Sequence, residues 1–314
     1  MAEAERSTLA EVGEIAVLSR IFPRLPESDA ALLGPGDDAA VMAAPDGRYV
    51  VTTDLLVHGP DFRWEFSTPE DLGWKAAATN LSDVAAMGAR PTALVVALAA
   101  PATTPVAVLE SLADGLRLAC DELAPGCGVV GGDLSTSDVF TIAVTAFGDL
   151  EGRPPVRRSG ARPGDVVAVA GELGPAARGL RLLFEHGRDE ALRRDAHAVG
   201  RQLRPAPPIA LGTAAADAGA TAMLDLSDGL LLDARRLAQA SAVDLELDAL
   251  GDDELRGGED HSLLATFPPD AALPAGFRAI GRAVAGSGRV LVAGREFAGL
   301  GGWDPYEDWD GRLS

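Results

Sequence analysis

The spacing of apolar residues in the first half of the chain changes between helical and strand periods. One helix is predicted over residues 9–22, where apolar residues recur at helical spacing: Leu9, Val12, Ile15, Leu18 and Phe22. Further helices are predicted at 68–88 and 105–123, and strands at 39–43, 49–57, 93–98, around 129 and at 139–147. Thr68 followed by Pro69 and two acids is typical of a helix start.

The second half repeats this mixture after a segment rich in proline, glycine and arginine at 151–164, which predicts a linker. Strands are predicted at 166–170 and 222–226, with three more near the end, and helices at 175–185, 190–199, 209–218 and 229–240. Because neighbouring strand pairs accompany the strand–helix alternation, the pattern favours an α+β fold over a doubly wound parallel sheet. The length of 314 residues predicts two domains, 1–150 and 151–314.

Composition narrows the class of protein. The formal net charge of −20 disfavours a nucleic-acid partner, because nothing offsets repulsion from the phosphates. No apolar run approaches the ~20 residues of a membrane span, and the acidic, amphipathic N-terminus is unlike a secretory signal. The 2 cysteines are too few for a disulfide framework. We therefore expect a cytoplasmic enzyme acting on a small substrate.

Common phosphate-binding and hydrolytic motifs are missing. Lys75 is the only lysine and does not follow a glycine-rich loop, so the chain has no P-loop. The protein-kinase motifs, GxSxG, HExxH and paired CxxC are missing too. Any phosphate chemistry must use another arrangement.

Aspartates that stand beside glycine or small polar residues offer another way to bind phosphate, through metal ions. They occur at Gly36–Asp38, Thr52–Asp54, Asn80–Asp83, Gly131–Asp133 and Asp225–Gly229. All except Asp83, which falls inside a predicted helix, are expected at strand ends or in loops. Carboxylates so placed could bind Mg²⁺ together with a polyphosphate. The alternative is that they are ordinary turn and cap residues of an acidic scaffold.

Seven segments, in order along the chain, resemble the thiamine-monophosphate kinase family. They are GDDAA at 36–40, TDLLV at 53–57, NLSDVAAMGA at 80–89, GGD at 131–133, RSGARPGD at 158–165, DLSDGL at 225–230 and GGED at 257–260. The resemblance implies a two-domain, aminoimidazole ribonucleotide synthetase-like α+β fold. It has an N-terminal mixed or antiparallel sheet with helices and a C-terminal α/β sandwich. It also implies a homodimer formed through the N-terminal halves.

The activity implied by this resemblance is phosphorylation of thiamine monophosphate by ATP, with several Mg²⁺ ions. The implied metal ligands are Asp38, Thr52, Thr53, Asp54, Asp83, Asp133, Asp225 and Asp228. The implied ATP contacts are Gly131, Gly132, Asp133, Arg158 and Ser227, and the implied substrate residues are His58, Asp61, Glu259 and Trp303. Of these, Asp54, Asp133, Arg158 and Asp228 would carry the catalysis. Trp303 offers a π-face to the cationic thiazolium, and Glu259 a counter-charge.

Three segments depart from the family pattern. Asp61 stands where a substrate-contacting histidine is expected, and an acid near an incoming phosphate is unfavourable unless a metal or His58 compensates. Pro305 and Tyr306 replace a His-Phe pair after Trp303-Asp304, and His261 follows GGED. These changes concern the expected substrate pocket rather than the nucleotide positions.

Alternatives to this activity stay open. One is an enzyme of the same fold acting on a different phosphorylated acceptor. Selenophosphate synthetase is disfavoured because its reactive N-terminal Cys or selenocysteine and lysine are missing, and the hydrogenase-maturation type because no terminal cysteine follows Leu313-Ser314. Another is a non-catalytic nucleotide or thiamine-phosphate binding homologue, although its crowded carboxylates would cost stability without metal.

Overall fold

The computed structural model describes residues 7–34, 40–297 and 301–302. Within these residues the chain forms two compact units. The first comprises residues up to 81 and 91–149, and the second comprises 82–90 and the residues from 150 onward. Asp38 and Trp303 lie outside the described residues. None of the described helices is long and apolar enough to cross a membrane.

Helices and strands are interspersed over the described residues, and in several places two or more strands or helices follow one another directly. The helices are α1 (Leu9–Val12), α2 (Glu14–Ile21), α3 (Pro69–Ala86), α4 (Val106–Leu123), α5 (Pro175–Arg194), α6 (Ala196–Leu203), α7 (Ile209–Asp217), α8 (Leu230–Ser241) and α9 (Asp252–Arg256). The strands are β1 (Ala31–Leu33), β2 (Val41–Met42), β3 (Val50–Val57), β4 (Arg90–Ala100), β5 (Gly128–Thr136), β6 (Thr141–Asp149), β7 (Val166–Ala170), β8 (Ala222–Leu226), β9 (Val243–Leu247), β10 (Ser262–Phe267), β11 (Phe277–Ala285), β12 (Val290–Val292) and β13 (Arg295–Glu296).

The first unit is built on a four-stranded sheet in the order β3-β6-β4-β5, beside a separate β1–β2 hairpin. β3 pairs with β6 antiparallel, and β4 pairs with β5 parallel. Residues of β6 alternate between buried and half-buried, so one face of the sheet packs into a core. α4 buries its apolar stripe, including Leu109, Leu112 and Leu116. β3 and β5 are the edge strands of this sheet.

The second unit is built on a seven-stranded sheet in the order β13-β12-β9-β11-β7-β10-β8. Its pairs are antiparallel except β12 with β9. One core packs Leu230 and Leu237 of α8 against Val167 and Val169, while a second core contains Ala215 of α7, Met223 and Phe267. Helices thus cover both faces of this sheet. The two mixed sheets confirm the predicted α+β class.

The differences from the predicted elements have local causes. The single helix expected over 9–22 is wrong, because Gly13 has φ +79° and separates α1 from α2. Ile15, assigned to its apolar face, is 87% exposed. The break predicted between the helices at 175–185 and 190–199 corresponds to a kink at Gly187, whose φ is 70°, but the second helical stretch ends at Arg194 and α6 begins at Ala196. In place of three last strands, the described residues after 242 form five, two of them only two or three residues long.

Candidate functional site

Thr52, Thr53 and Asp54 lie on edge strand β3, where Asp54 is exposed. The Thr53 hydroxyl donates to the Val144 carbonyl at 3.0 Å. The Asp54 backbone N–H donates to Asn80 Oδ1 at 3.1 Å, and Asn80 Nδ2 donates to the Ala76 carbonyl at 2.9 Å. Asn80 is buried, so its amide has a fixed orientation. It therefore holds the backbone at Asp54, a positioning role that no sequence pattern assigned.

Gly131, Gly132 and Asp133 lie on the opposite edge strand, β5. The β4–β5 register shifts between Leu94 and Val95, which places a bulge just before Gly131. A Cβ at Gly132 would lie 2.0 Å from the Val96 carbonyl oxygen, so only glycine fits there. A Cβ at Gly131 would meet nothing within 4 Å, which leaves the backbone at Gly131 accessible.

Asp54 and Asp133 were expected at strand ends, and this expectation is wrong. Both lie inside strands, because β3 continues to Val57 and β5 stays paired with β4 as far as Thr136. Two strands separate β3 from β5, so at usual strand spacings the two backbones are about 14 Å apart. One Mg²⁺, with ligand distances of about 2.1 Å, cannot span that gap. The first unit thus does not gather its predicted ligands at one point.

The segment after β3 forms a closed loop. Asp61 Oδ2 accepts a hydrogen bond from the Val57 backbone N–H at 2.7 Å, and the Gly59 N–H donates to the Phe62 carbonyl at 2.8 Å. His58 packs against Phe62 and Trp64, with ring centroids 5.4 and 6.1 Å away. Burial lowers the pKa of His58, against the opposing charge of Glu65, so at neutral pH the imidazole is uncharged. Asp61 here builds the loop that carries His58.

We expect Asp61→His to raise the KM for the acceptor substrate a few-fold, because it removes a charge-assisted hydrogen bond from the loop. Asp61→Asn keeps an acceptor oxygen and serves as the matched control, with a smaller change. Steady-state kinetics on both variants test this. A lower KM in Asp61→His would show instead that the native acid repels the substrate phosphate.

In the second unit, Asp225 is the penultimate residue of β8, and Ser227 and Asp228 follow in the loop before α8. The GGED segment runs alongside this loop. The Glu259 N–H donates to the Ser227 carbonyl at 2.7 Å, and the His261 N–H donates to the Leu226 carbonyl at 3.0 Å. Glu259 and His261 both have positive φ, of 68° and 50°. Such dihedrals cost energy in residues other than glycine and concentrate at functional sites.

Asp228 belongs to a compact ion-pair cluster. Arg236 Nη1 lies 2.6 Å from Asp228 Oδ2 and 2.6 Å from Asp233 Oδ1. The Asp228 N–H also donates to Asp233 Oδ2 at 3.1 Å. Burial and the neighbouring Asp228 raise the pKa of Asp233 to about 7, in spite of Arg236. Beside this cluster, Asp225 Oδ2 lies 3.2 Å from His261 Nδ1.

The remaining predicted residues of this unit are dispersed. Asp83 is half-buried near the end of α3, and Arg158 is exposed in the irregular segment before β7. Arg158 forms no ion pair with any residue that the structure describes. Glu259 Oε2 accepts a long hydrogen bond from Gln202 Nε2 at 3.4 Å. Glu259 therefore points toward α6.

Asp260, the last residue of GGED, binds the start of α5. Its carboxylate accepts from the Gly174 N–H at 2.5 Å and from the Ala176 N–H at 3.0 Å. Burial raises its pKa to about 6, although both amides oppose the shift. Asp260 therefore acts as a helix cap and fixes the GGED loop.

The carboxylates suit Mg²⁺ by chemistry, although they are not arranged as a complete protein cage. Over residues 7–34, 40–297 and 301–302, no three His, Cys, Asp or Glu residues are grouped to hold a metal ion. Mg²⁺ prefers oxygen ligands and is usually held by one or two carboxylates, with phosphates and waters completing the shell. Asp225 and Asp228 fit that requirement, because they place two carboxylates at the end of one strand.

A separate open cleft of about 740 Å³ lies at the start of α5, and Glu172, Arg178, His197, Asp253 and Arg278 line it. None of the residues predicted from the motifs lines this cleft. Its charged groups pair with one another or with nearby arginines, as Glu172 does with His197 at 3.1 Å. The cleft therefore adds no catalytic group.

Comparisons with known proteins identify the family. The model for "AIR synthase related protein, N-terminal domain" matches residues 36–150. Thiamine-monophosphate kinase of Mycobacterium tuberculosis is 46% identical over 330 residues, covering 99% of this chain and 96% of that protein. The crystal structure of thiamine-monophosphate kinase from Stenotrophomonas maltophilia has a TM-score of 0.78 at 34% identity, covering 91% of this chain and 98% of that one.

A second similar structure contains ligands. It is described as AaThiL complexed with AMPPCP and TMP, and it has a TM-score of 0.75 at 34% identity. The match covers 95% of this chain and 98% of that chain. Identity of 46% along almost the entire length shows membership of the same family and not only a shared fold. The chain therefore belongs to the thiamine-monophosphate kinase family.

Proposed function

We propose that this protein transfers the γ-phosphoryl group of ATP to thiamine monophosphate, giving thiamine diphosphate and ADP. The observation that carries the proposal is the full-length similarity to thiamine-monophosphate kinases, including one structure described with AMPPCP and TMP. The proposal includes a cytoplasmic location, where ATP is available and where the two free cysteines, Cys120 and Cys127, stay reduced.

The chemistry requires positioning rather than a general base. The second pKa of a phosphate monoester is about 6, so the acceptor is already an anionic nucleophile at neutral pH. The chain must bring two anions into line and offset their repulsion. We assign to exposed Arg158 a contact with the nucleotide phosphates, and to the Gly131–Gly132 backbone and Ser227 the remaining ATP contacts. The uncharged imidazole of His58 and the Glu259 carboxylate face thiamine monophosphate in this proposal.

Carboxylates at three places would hold Mg²⁺. Asp225 and Asp228 would share one ion, and Asp54 on β3 and Asp133 on β5 would each hold a different one because of their separation. Thr52, Thr53 and Asp83 complete the proposed ligands. When bound, Mg²⁺ supplies positive charge to the phosphate oxygens and helps to orient them. The carboxylates themselves orient the ions.

A turnover assay tests the activity directly. Purified protein is incubated with ATP, Mg²⁺ and thiamine monophosphate, and thiamine diphosphate and ADP are resolved chromatographically. We expect equal amounts of both products and none without Mg²⁺. Nucleotide binding without product would reject the acceptor and direct the search to another phosphate ester or to a binding role.

We also propose a homodimer formed through the first unit. Edge strand β3 exposes Val51 and Leu55, with 54% and 55% of their surface accessible. The β1–β2 hairpin exposes Leu32 and Val41, at 73% and 49%. An edge strand with exposed apolar side chains is a surface that pairs with another chain. We assign this surface to a second copy of the same unit, because the family resemblance of the sequence motifs implies association through this half.

Charge on that strand is expected to separate the dimer. Val51 and Leu55 are four residues apart on a strand and so share one face. Val51→Glu with Leu55→Glu should shift the mass in light scattering from two chains to one. Phe184→Glu, which alters an equally exposed residue of the second unit, should leave it unchanged. A wild-type protein of single-chain mass would reject the dimer.

A further inference from the structure

Asp228 is held by two side chains that the sequence motifs did not include. Asp233 and Arg236 lie on α8 three residues apart, which places them on the same helix face. Asp233 is buried, and its carboxylate accepts from the Asp228 backbone N–H and from the Arg236 guanidinium. The same guanidinium nitrogen donates to the Asp228 side chain. A single arginine nitrogen thus bridges two carboxylates.

This bridge occupies one of the two oxygens through which Asp228 could hold a cation. The Arg236 donor lies 2.6 Å from Asp228 Oδ2, so a metal ion that used this oxygen would compete with the guanidinium. The side chain of Arg236 is 41% exposed, whereas that of Asp233 is only 3% exposed. The arginine can therefore swing away from Asp228, while Asp233 stays in place as its second partner.

The local charge points the same way. Arg236 Nη1 lies 2.6 Å from an oxygen of Asp228 and 2.6 Å from an oxygen of Asp233. It therefore offsets the repulsion between these two carboxylates, which would be unfavourable without Arg236 when no metal ion is bound.

We propose that Arg236 is an internal counter-cation: it holds the Asp228 carboxylate while Mg²⁺ and nucleotide are absent, and releases it to the metal when they bind. Asp233 retains the released guanidinium and fixes the Asp228 backbone throughout. The inference depends on the proposed function only in taking Asp228 as a metal ligand. Arg236 is thus a positioning residue that competes with the metal.

Binding of Mn²⁺, a spectroscopic probe for the Mg²⁺ position, tests this in the full-length protein with a non-hydrolysable ATP analogue present. We expect Arg236→Met to tighten Mn²⁺ binding about tenfold, because the unbound state loses one charge-assisted hydrogen bond. Its melting temperature without metal should fall, and the gain on adding Mn²⁺ should exceed that of wild type. Arg235→Met is the matched control, since Arg235 reaches the Phe297 carbonyl rather than a carboxylate.

Unchanged or weaker Mn²⁺ binding in Arg236→Met would overturn the proposal, as would a wild-type protein that binds no Mn²⁺. If Arg236→Met does not fold, Asp233→Asn gives the answer. The guanidinium then loses its alternative partner, stays on Asp228, and should weaken Mn²⁺ binding several-fold; no change would overturn the proposal. Turnover by wild type is measured separately, so an inactive protein with the expected Mn²⁺ response rejects the kinase activity alone.

Discussion

An Asp54→Asn variant is expected to lose Mg²⁺-dependent turnover by about a hundredfold or more, with its fold intact. The amide keeps the size of the side chain but removes the charge that would hold a metal ion against the phosphates. Because Asp54 is exposed, its charge is not needed for packing. Without Mg²⁺ the melting temperature should therefore stay the same or rise.

Asp138→Asn is a suitable control, because Asp138 is another exposed acid of the first unit, in the turn between β5 and β6. It should retain wild-type turnover and the wild-type gain in melting temperature on adding Mg²⁺. That gain should shrink in Asp54→Asn. Full activity of Asp54→Asn would exclude Asp54 as a metal ligand and leave β3 with a purely structural role.

A helix or strand was predictable from the sequence where its own residue pattern agrees with the contacts that it makes in the folded protein. α3 begins at Pro69, and the Thr68 hydroxyl accepts from the Asp71 N–H at 3.2 Å, as the capping pattern indicates. β12 and β13 were missed because strands of two or three residues have no period of their own. β12 forms because β9 provides its partner, and β13 forms because it pairs in turn with β12, which only the folded sheet reveals.

The candidate site, too, was predictable from the sequence only in part. The motifs placed Asp225 and Asp228 together, since they are three residues apart beside a strand end. They included Asn80 but did not reveal its contact with Asp54, which spans 26 residues of sequence. Asp61 was interpreted as a substrate residue from its position alone, whereas its carboxylate binds the Val57 amide. A motif identifies which residues matter but not whether a side chain faces a ligand or its own backbone.

The largest effect on stability is expected at Asp244, a buried residue of β9 that lies outside every sequence motif. Its Oδ1 accepts from the backbone N–H groups of Ser287, Gly288 and Arg289, at 2.8, 3.1 and 2.9 Å. Its Oδ2 accepts from Arg289 Nε and Nη2, at 2.9 and 2.6 Å. This single carboxylate therefore organises the turn from β11 to β12. Burial alone would raise the pKa of Asp244, but Arg289 and the amides lower it to about 2.

Asp244→Asn should accordingly destabilise the protein by roughly 3 kcal/mol at pH 7, because the buried acid loses the charge that strengthens its hydrogen bonds with three backbone amides and with the half-exposed Arg289. Asp252→Asn removes an ion pair whose acid is 81% exposed, and should cost less than about 1 kcal/mol. Since the folded-state pKa of Asp244 lies below its ordinary value, its stabilisation is complete above about pH 4 and is lost as the pH falls toward 2. Denaturant unfolding of wild type and Asp244→Asn should thus differ at pH 7 and converge below pH 3. A difference that stayed constant down to pH 2 would show that the ionised carboxylate is not its source.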